Sequence, residues 1–97
     1  MNREEQDKLS QEIRRSDKAK QILENPIFNE SLEELKKLYT ESLFNTGAKE
    51  TETREKLWLA VNVLGKVEQH IQQVLDTGKL ATKQLEDFRK EEKSKKF

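Results

Sequence analysis

Several residue types that often define a protein's chemistry are absent or scarce in this 97-residue chain. The lack of cysteine excludes disulfides, zinc–thiolate sites and thiol nucleophiles. There is no run of about 18 apolar residues and no hydrophobic segment of the signal-peptide kind at the start, so we expect no membrane span and a cytoplasmic location. Only one proline and three glycines interrupt a chain rich in Glu, Lys, Gln and Leu, which favours helices.

Charged residues make up 39% of the chain, and 19 basic side chains balance 19 acidic ones. Leu, Ile, Val and Phe account for 24 of the 97 residues, above the roughly 20% below which highly charged chains stay disordered. The composition therefore predicts one small domain that folds around a thin core.

A long amphipathic helix is predicted to start at Asn25-Pro26. Asn is a preferred N-cap, and Pro at the first helical position gives up only an N–H that has no partner there. Apolar residues then recur at steps of three and four, which predicts a helix over about 26–45. Gly47 is expected to end it in a left-handed cap.

A second long helix is predicted over about 52–76, with Gly78 as its stop. The connection between the two helices is only about six residues, which favours antiparallel neighbours. We therefore predict an all-α fold built on an antiparallel helical hairpin with short flanking helices.

The flanking segments are less regular. Residues 1–15 are mostly polar and predict a frayed or conditional helix, whereas Ser16 is suited to cap a short helix that ends before the proline. Another flanking helix is expected over about 80–92. We expect 16–92 to form a single helical domain and 93–97 to be a basic tail.

The apolar arc of the second long helix is wider than a two-helix seam requires. Either the flanking helices at 16–25 and 80–92 fold over the hairpin, or identical hairpins associate; we expect both, and so predict that the chain forms a homo-oligomer. Trp58 has two interpretations: it packs on the flanking helix at 16–25, or it forms a subunit contact. The residues expected at an oligomer or partner interface are Trp58, Asn62, Gly65, Val61, Leu64, Phe28 and Leu32.

The sequence offers little for catalysis. Its only histidine, His70, has Val67 three residues before it, where a di-iron bundle would need Glu. We interpret His70 as a partly buried or interfacial side chain rather than a metal ligand or base. Phosphate-binding glycine loops and the Gly-x-Ser-x-Gly motif are missing. We therefore expect a protein that is not an enzyme and that uses no metal or cofactor.

Basic residues are concentrated near the two ends of the chain. They could neutralise phosphates in weak, sequence-independent nucleic-acid contact, or they could be solvated helix ends placed favourably in the helix dipole. The candidates for nucleic-acid contact are Arg14, Arg15, Lys18, Lys90, Lys93, Lys95 and Lys96.

Three stretches of the sequence, taken together, resemble a known class of proteins. They are Ile22-Leu23-Glu24-Asn25-Pro26-Ile27-Phe28, Arg54-Glu55-Lys56-Leu57-Trp58 and Thr77-Gly78-Lys79-Leu80-Ala81. The chain thereby resembles small all-helical proteins of tailed phages and of alphaproteobacterial gene transfer agents, and among these the small subunit of DNA-packaging terminases.

The resemblance implies that the hairpin builds an oligomeric ring in the cytoplasm of a bacterial host. Flanking segments would contact DNA, and the C-terminal end, with Lys93, Lys95 and Lys96, would engage the large terminase subunit or another phage protein. The first 25 residues are too few and too polar for a full helix-turn-helix, so sequence-specific DNA recognition is not implied. The alternative is a small inhibitor or regulatory module that binds one host or phage protein.

Overall fold

The computed structural model describes residues 1–94, which form three α-helices and no strand. Helix α1 spans Arg3–Leu23, α2 spans Pro26–Phe44 and α3 spans Thr51–Ser94. The all-α prediction is confirmed. The last three residues of the predicted basic tail lie outside the described residues.

Helix α1 begins near the start of the chain, at Arg3, and not at Ser16. The side-chain oxygen of Asn2 accepts a hydrogen bond from the Glu5 N–H at 2.8 Å, which is N-cap geometry. Glu4 and Glu5 in the first turn lie favourably in the helix dipole. The predicted cap at Ser16 is wrong, because that residue lies inside α1 and is buried.

Helix α2 begins where the sequence predicts. The Asn25 side-chain oxygen accepts a hydrogen bond from the Phe28 N–H at 3.1 Å, and Pro26 occupies the first turn. At the other end Asn45 is the C-cap, in the right-handed region at φ −88° and ψ −2°. The predicted left-handed cap at Gly47 is wrong, since no glycine in residues 1–94 has a positive φ.

Helix α3 runs through Gly78 without a break, so the predicted stop at this glycine is wrong. The physical reason is a close approach between helices. A Cβ atom placed on Gly78 would lie 1.9 Å from the Ser16 Cβ, closer than any two such atoms can come. The Ser16 hydroxyl donates a hydrogen bond to the Leu75 carbonyl oxygen at 2.9 Å. Gly78 therefore makes room for a neighbouring helix and does not terminate its own.

The described chain divides into two compact units. The terminal unit consists of residues 1–22 together with the described residues from 71 onward, and the central unit consists of residues 23–70. In the terminal unit α1 packs antiparallel to the second half of α3: Ser16 meets Leu75, and the first turns of α1 share a groove with the last turns of α3. Four small residues are buried in this packing: Ser16, Ala19, Gly78 and Ala81.

In the central unit α2 packs antiparallel to the first part of α3. The Lys36 ammonium forms an ion pair with the Glu68 carboxylate, and Leu43 lines a shallow depression with Trp58. Later residues of α2 therefore lie beside earlier residues of α3. This is the antiparallel hairpin that the sequence predicts.

Candidate interaction surfaces

Few apolar side chains in the described part of the chain are buried. In residues 1–94 four apolar side chains are buried, whereas eleven large apolar side chains are exposed. Two of the four buried residues are alanines, and no large side chain in this range is almost fully enclosed. A contiguous apolar patch of a few hundred Å² on a soluble protein commonly marks an interaction site.

One group of exposed residues forms a row on each helix of the central unit. On α3 the row is Leu59, Val63 and Val67, spaced every four residues. On the corresponding side of α2 the exposed large apolar residues are Ile27, Leu35 and Leu38. None of these six residues is among those that the sequence predicts at an interface, although the broad apolar arc itself is predicted.

The two rows lie on the same side of the helix pair. Successive residues of a helix are rotated by about 100° around its axis. Around α3, the row lies roughly 60° to 140° from Leu64, which faces the other helix. Around α2, the row lies at the same range of angles, in the same direction, from the buried Leu32. Two antiparallel helices are related by a two-fold axis perpendicular to the plane of the pair. Equal offsets in the same direction therefore fall on the same side, and the six residues form one surface, here called the apolar face.

The opposite side of the central unit carries two exposed aromatic residues. Trp58 is 60% exposed and Phe44 is 82% exposed, and each is offset by about 120° from the inward-facing residue of its helix, in the direction away from the apolar face. Asn62 and Gly65 are also exposed on this side, and the Asn62 side chain donates a hydrogen bond to the Trp58 carbonyl oxygen at 2.8 Å. Trp58 is therefore not part of the chain's core.

The other predicted interface residues are less accessible. Leu32 is buried, and Phe28, Val61 and Leu64 are half-buried. All four occupy the side of each helix that faces its partner within the central unit. The structure thus separates the seven predicted interface residues into four that are used inside the hairpin and three that are exposed on the aromatic side.

Charged residues flank the apolar face. Where α2 and α3 lie side by side, the edge of α2 carries carboxylates and the edge of α3 carries a lysine, whereas nearer the start of α3 the same side carries Glu55 and the ion pair of Lys56 with Glu52 at 3.2 Å. Glu34 and Glu41 lie along the outer edge of α2, and Lys66 lies along the outer edge of α3.

The ion pair between Lys36 and Glu68 places these two residues at the same height along the hairpin. Because the helices are antiparallel, Lys66, two residues before Glu68, lies at the height of the residue two positions after Lys36. That height falls between Glu34 and Glu41.

His70 is exposed, so the expectation that it is partly buried is wrong, and a role at an interface stays a prediction. It lies at the edge of the apolar face. Within residues 1–94 no three His, Asp or Glu side chains are grouped so that they could hold a metal ion.

The basic candidates for nucleic-acid contact all belong to the terminal unit where the structure describes them. Arg14, Arg15 and Lys18 are exposed on α1, close in sequence to Ser16. Lys90 and Lys93 are exposed near the end of α3. Lys95 and Lys96 lie outside the described residues.

The two basic clusters are not adjacent. Ser16 is level with Leu75, so about 15 residues of helix, or roughly 22 Å, separate the α1 cluster from Lys90. The end of α3 also borders an open groove with four carboxylates and one lysine. This groove is lined by Met1, Glu5, Lys8, Leu9, Glu12, Gln84, Asp87, Phe88 and Glu91. The α1 cluster is therefore the stronger candidate for contact with phosphates.

Comparison with known proteins found no matching protein family, no matching curated protein and no matching solved structure. Among residues 1–94, none of the helices combines the length and the apolar character that crossing a membrane requires.

Proposed function

We propose that this chain is a non-enzymatic helical assembly protein that self-associates through its central unit. The observation that carries the proposal is the excess of exposed over buried apolar side chains, most of it in the central unit. A chain this small buries only a modest fraction of its surface on folding, and association with further copies supplies the missing burial. The zero formal net charge adds no long-range repulsion between copies.

We further propose that the assembly works in the cytoplasm of a bacterial host, as a DNA-packaging component similar to the small subunit of a phage terminase. The resemblance of the three sequence stretches supports this role. The exposed α1 cluster of Arg14, Arg15 and Lys18 would supply weak, sequence-independent contacts to DNA. The C-terminal end would engage the large subunit or another phage protein.

Light scattering coupled to size-exclusion chromatography tests both parts of the proposal. The protein alone is expected to elute as a multiple of its 11.5 kDa chain mass at low and at high salt, because apolar contacts are not screened. Adding a DNA duplex is expected to give a larger complex at low salt only. A monomer at high micromolar concentration that binds neither DNA nor a packaging ATPase would refute the proposal.

A second candidate is an inhibitor or regulatory module that binds one host or phage protein. The observation that favours it is the exposed pair Phe44 and Trp58, because aromatic anchors are enriched at interface hot spots. For this function we expect a stable complex with one defined protein that is lost on Trp58→Ala, while the helical content of the free chain is unchanged.

A further inference from the structure

The central unit has an apolar side and an aromatic side, and the self-association proposed above does not say which of them another copy covers. The apolar face extends over both helices, whereas the aromatic side carries two large apolar residues among polar ones. Burial of apolar area is the main favourable contribution to association. The apolar face is therefore the stronger candidate for the contact between copies.

The side of the hairpin that carries the apolar face is large enough for a stable contact. Helix α2 has 19 residues and is about 28 Å long, and two packed helices are roughly 20 Å wide, so this side of the hairpin covers on the order of 550 Å² in projection. A standard stable interface buries about 800 Å² of accessible surface on each partner. Accessible surface exceeds projected area on a ridged helix surface, so the two values are of the same scale.

The charges along the edges favour one arrangement of two copies. In a face-to-face dimer, a two-fold axis perpendicular to the helices and lying in the interface places each helix over its own copy. With this axis at the level of Lys66, Glu34 of one copy would face Glu41 of the other, and Lys66 would face Lys66 of the other copy. Like charges brought together in this way oppose association.

A two-fold axis parallel to the helices places α2 of one copy over α3 of the other. Rotation about such an axis leaves each residue at its own level, so Lys66 of one copy reaches the level between Glu34 and Glu41 of the other. Opposite charges then meet along both edges of the interface. The same arrangement encloses the apolar side chains of both hairpins in a four-helix bundle.

We propose that the apolar face (Ile27, Leu35, Leu38, Leu59, Val63 and Val67) is the docking surface for a second copy of this chain, with α2 of each copy packed over α3 of the other. The proposal rests on the self-association proposed above and adds to it the surface, the symmetry and the charge pairs.

A matched pair of substitutions on α3 tests the surface. Leu59 in the apolar face is 57% exposed, and Leu80 in the terminal unit is 58% exposed. Sedimentation velocity is expected to show that Leu59→Lys raises the dissociation constant about tenfold or more, whereas Leu80→Lys leaves it unchanged. Circular dichroism checks that both variants keep the helical content of the wild type.

A wild-type oligomer that Leu59→Lys does not weaken, or that Leu80→Lys weakens equally, would overturn the docking surface and leave the proposed self-association intact. A wild-type chain that is monomeric at high micromolar concentration would overturn both. These two failures give different sedimentation profiles of the unmodified protein.

Charge reversal tests the arrangement. Lys66→Glu is expected to weaken the dimer, the double change Glu34→Lys and Glu41→Lys is expected to weaken it as well, and combining all three changes is expected to restore much of the wild-type affinity. If Lys66→Glu leaves the dimer affinity unchanged, the arrangement with α2 over α3 is wrong, because where Lys66 faces Lys66 of the other copy the change only replaces one like-charge pair with another. If the triple variant is as weak as the single one, the proposed charge pairs do not form.

Discussion

At the residue scale, the two helical glycines of α3 have opposite roles. Gly78 is buried against Ser16, and its missing side chain allows the helices of the terminal unit to come close together. Gly65 is exposed, and a Cβ atom placed there has no neighbour within 4 Å. Glycine is a poor helix former, so Gly78 is explained by the packing of the terminal unit, whereas nothing in the structure explains Gly65.

We predict that alanine at these two positions changes stability in opposite directions. Gly78→Ala must push α1 away and is expected to lower the free energy of unfolding by about 1–3 kcal/mol. Gly65→Ala is expected to raise it by up to about 1 kcal/mol, because alanine is the better helix former and the site is open. Urea denaturation followed by circular dichroism measures both changes. Two shifts of the same sign would contradict the packing described for the terminal unit.

The residues responsible for this packing can be read in the sequence, but the local pattern around Gly78 predicts the end of a helix instead. Gly78 follows an amphipathic stretch, and glycine in that place usually ends a helix. The small residues Ser16 and Ala19 on α1, and Gly78 and Ala81 on α3, repeat at a spacing of three and so share one side of each helix. Their meaning depended on the two segments meeting, which is a tertiary contact that periodicity within one helix does not reveal.

At the scale of the helices, the start of α2 is the feature best determined by the sequence. Asn25 and Pro26 act through neighbours within three residues, and the cap hydrogen bond to the Phe28 N–H is present as predicted. The Asn29 side chain adds a hydrogen bond to the Leu23 carbonyl oxygen at 2.8 Å, across the break between α1 and α2. Local chemistry of this kind can be predicted without knowing the fold.

Removing this cap is expected to destabilise α2. Asn25→Ala loses the side-chain acceptor and should lower the free energy of unfolding by about 1 kcal/mol. Asn25→Asp keeps an acceptor and places a negative charge at the helix start, so it should retain the wild-type stability. Thermal unfolding measures all three proteins at one concentration, so that the contribution of association to the melting temperature is held the same. Equal losses in both variants would show that the side-chain acceptor is not what stabilises the start of α2.

The ends of the other helices were harder to predict because tertiary contacts determine them. The hydrophobic content of residues 1–15 is too low to predict a stable helix, yet α1 begins at Arg3. In the terminal unit this segment lies along the end of α3, with Leu9 and Phe88 lining the same groove. Packing against another helix stabilises a segment whose own propensity is marginal.

At the scale of the whole molecule, the broad apolar arc predicted from the sequence became two distinct surfaces once the hairpin was built. Periodicity showed that α3 has more apolar surface than one neighbour can cover. It could not show that Leu59, Val63 and Val67 lie on the same side as Leu38, because that depends on the direction of α2 relative to α3. The antiparallel register of the central unit provides this information.

We predict that the α1 cluster accounts for most of any DNA contact. Replacing Arg14, Arg15 and Lys18 by Gln should make the negative slope of log affinity against log salt less steep by about 2 to 3, because each lost phosphate contact removes about 0.9 from its magnitude. The control changes Lys49, Arg54 and Lys56 to Gln, which removes the same charge from the central unit. Fluorescence anisotropy with a labelled duplex measures both variants. Equal losses would show that net charge, and not this cluster, governs binding.

The most direct test of the account is the molar mass of the unmodified protein over a dilution series, measured by sedimentation equilibrium at low and high salt. If copies cover the apolar face of one another, the mass will be a multiple of 11.5 kDa at high micromolar concentration, will resist salt and will fall towards 11.5 kDa on dilution. A mass of 11.5 kDa at every concentration would contradict the account, because the apolar face would then stay open to water.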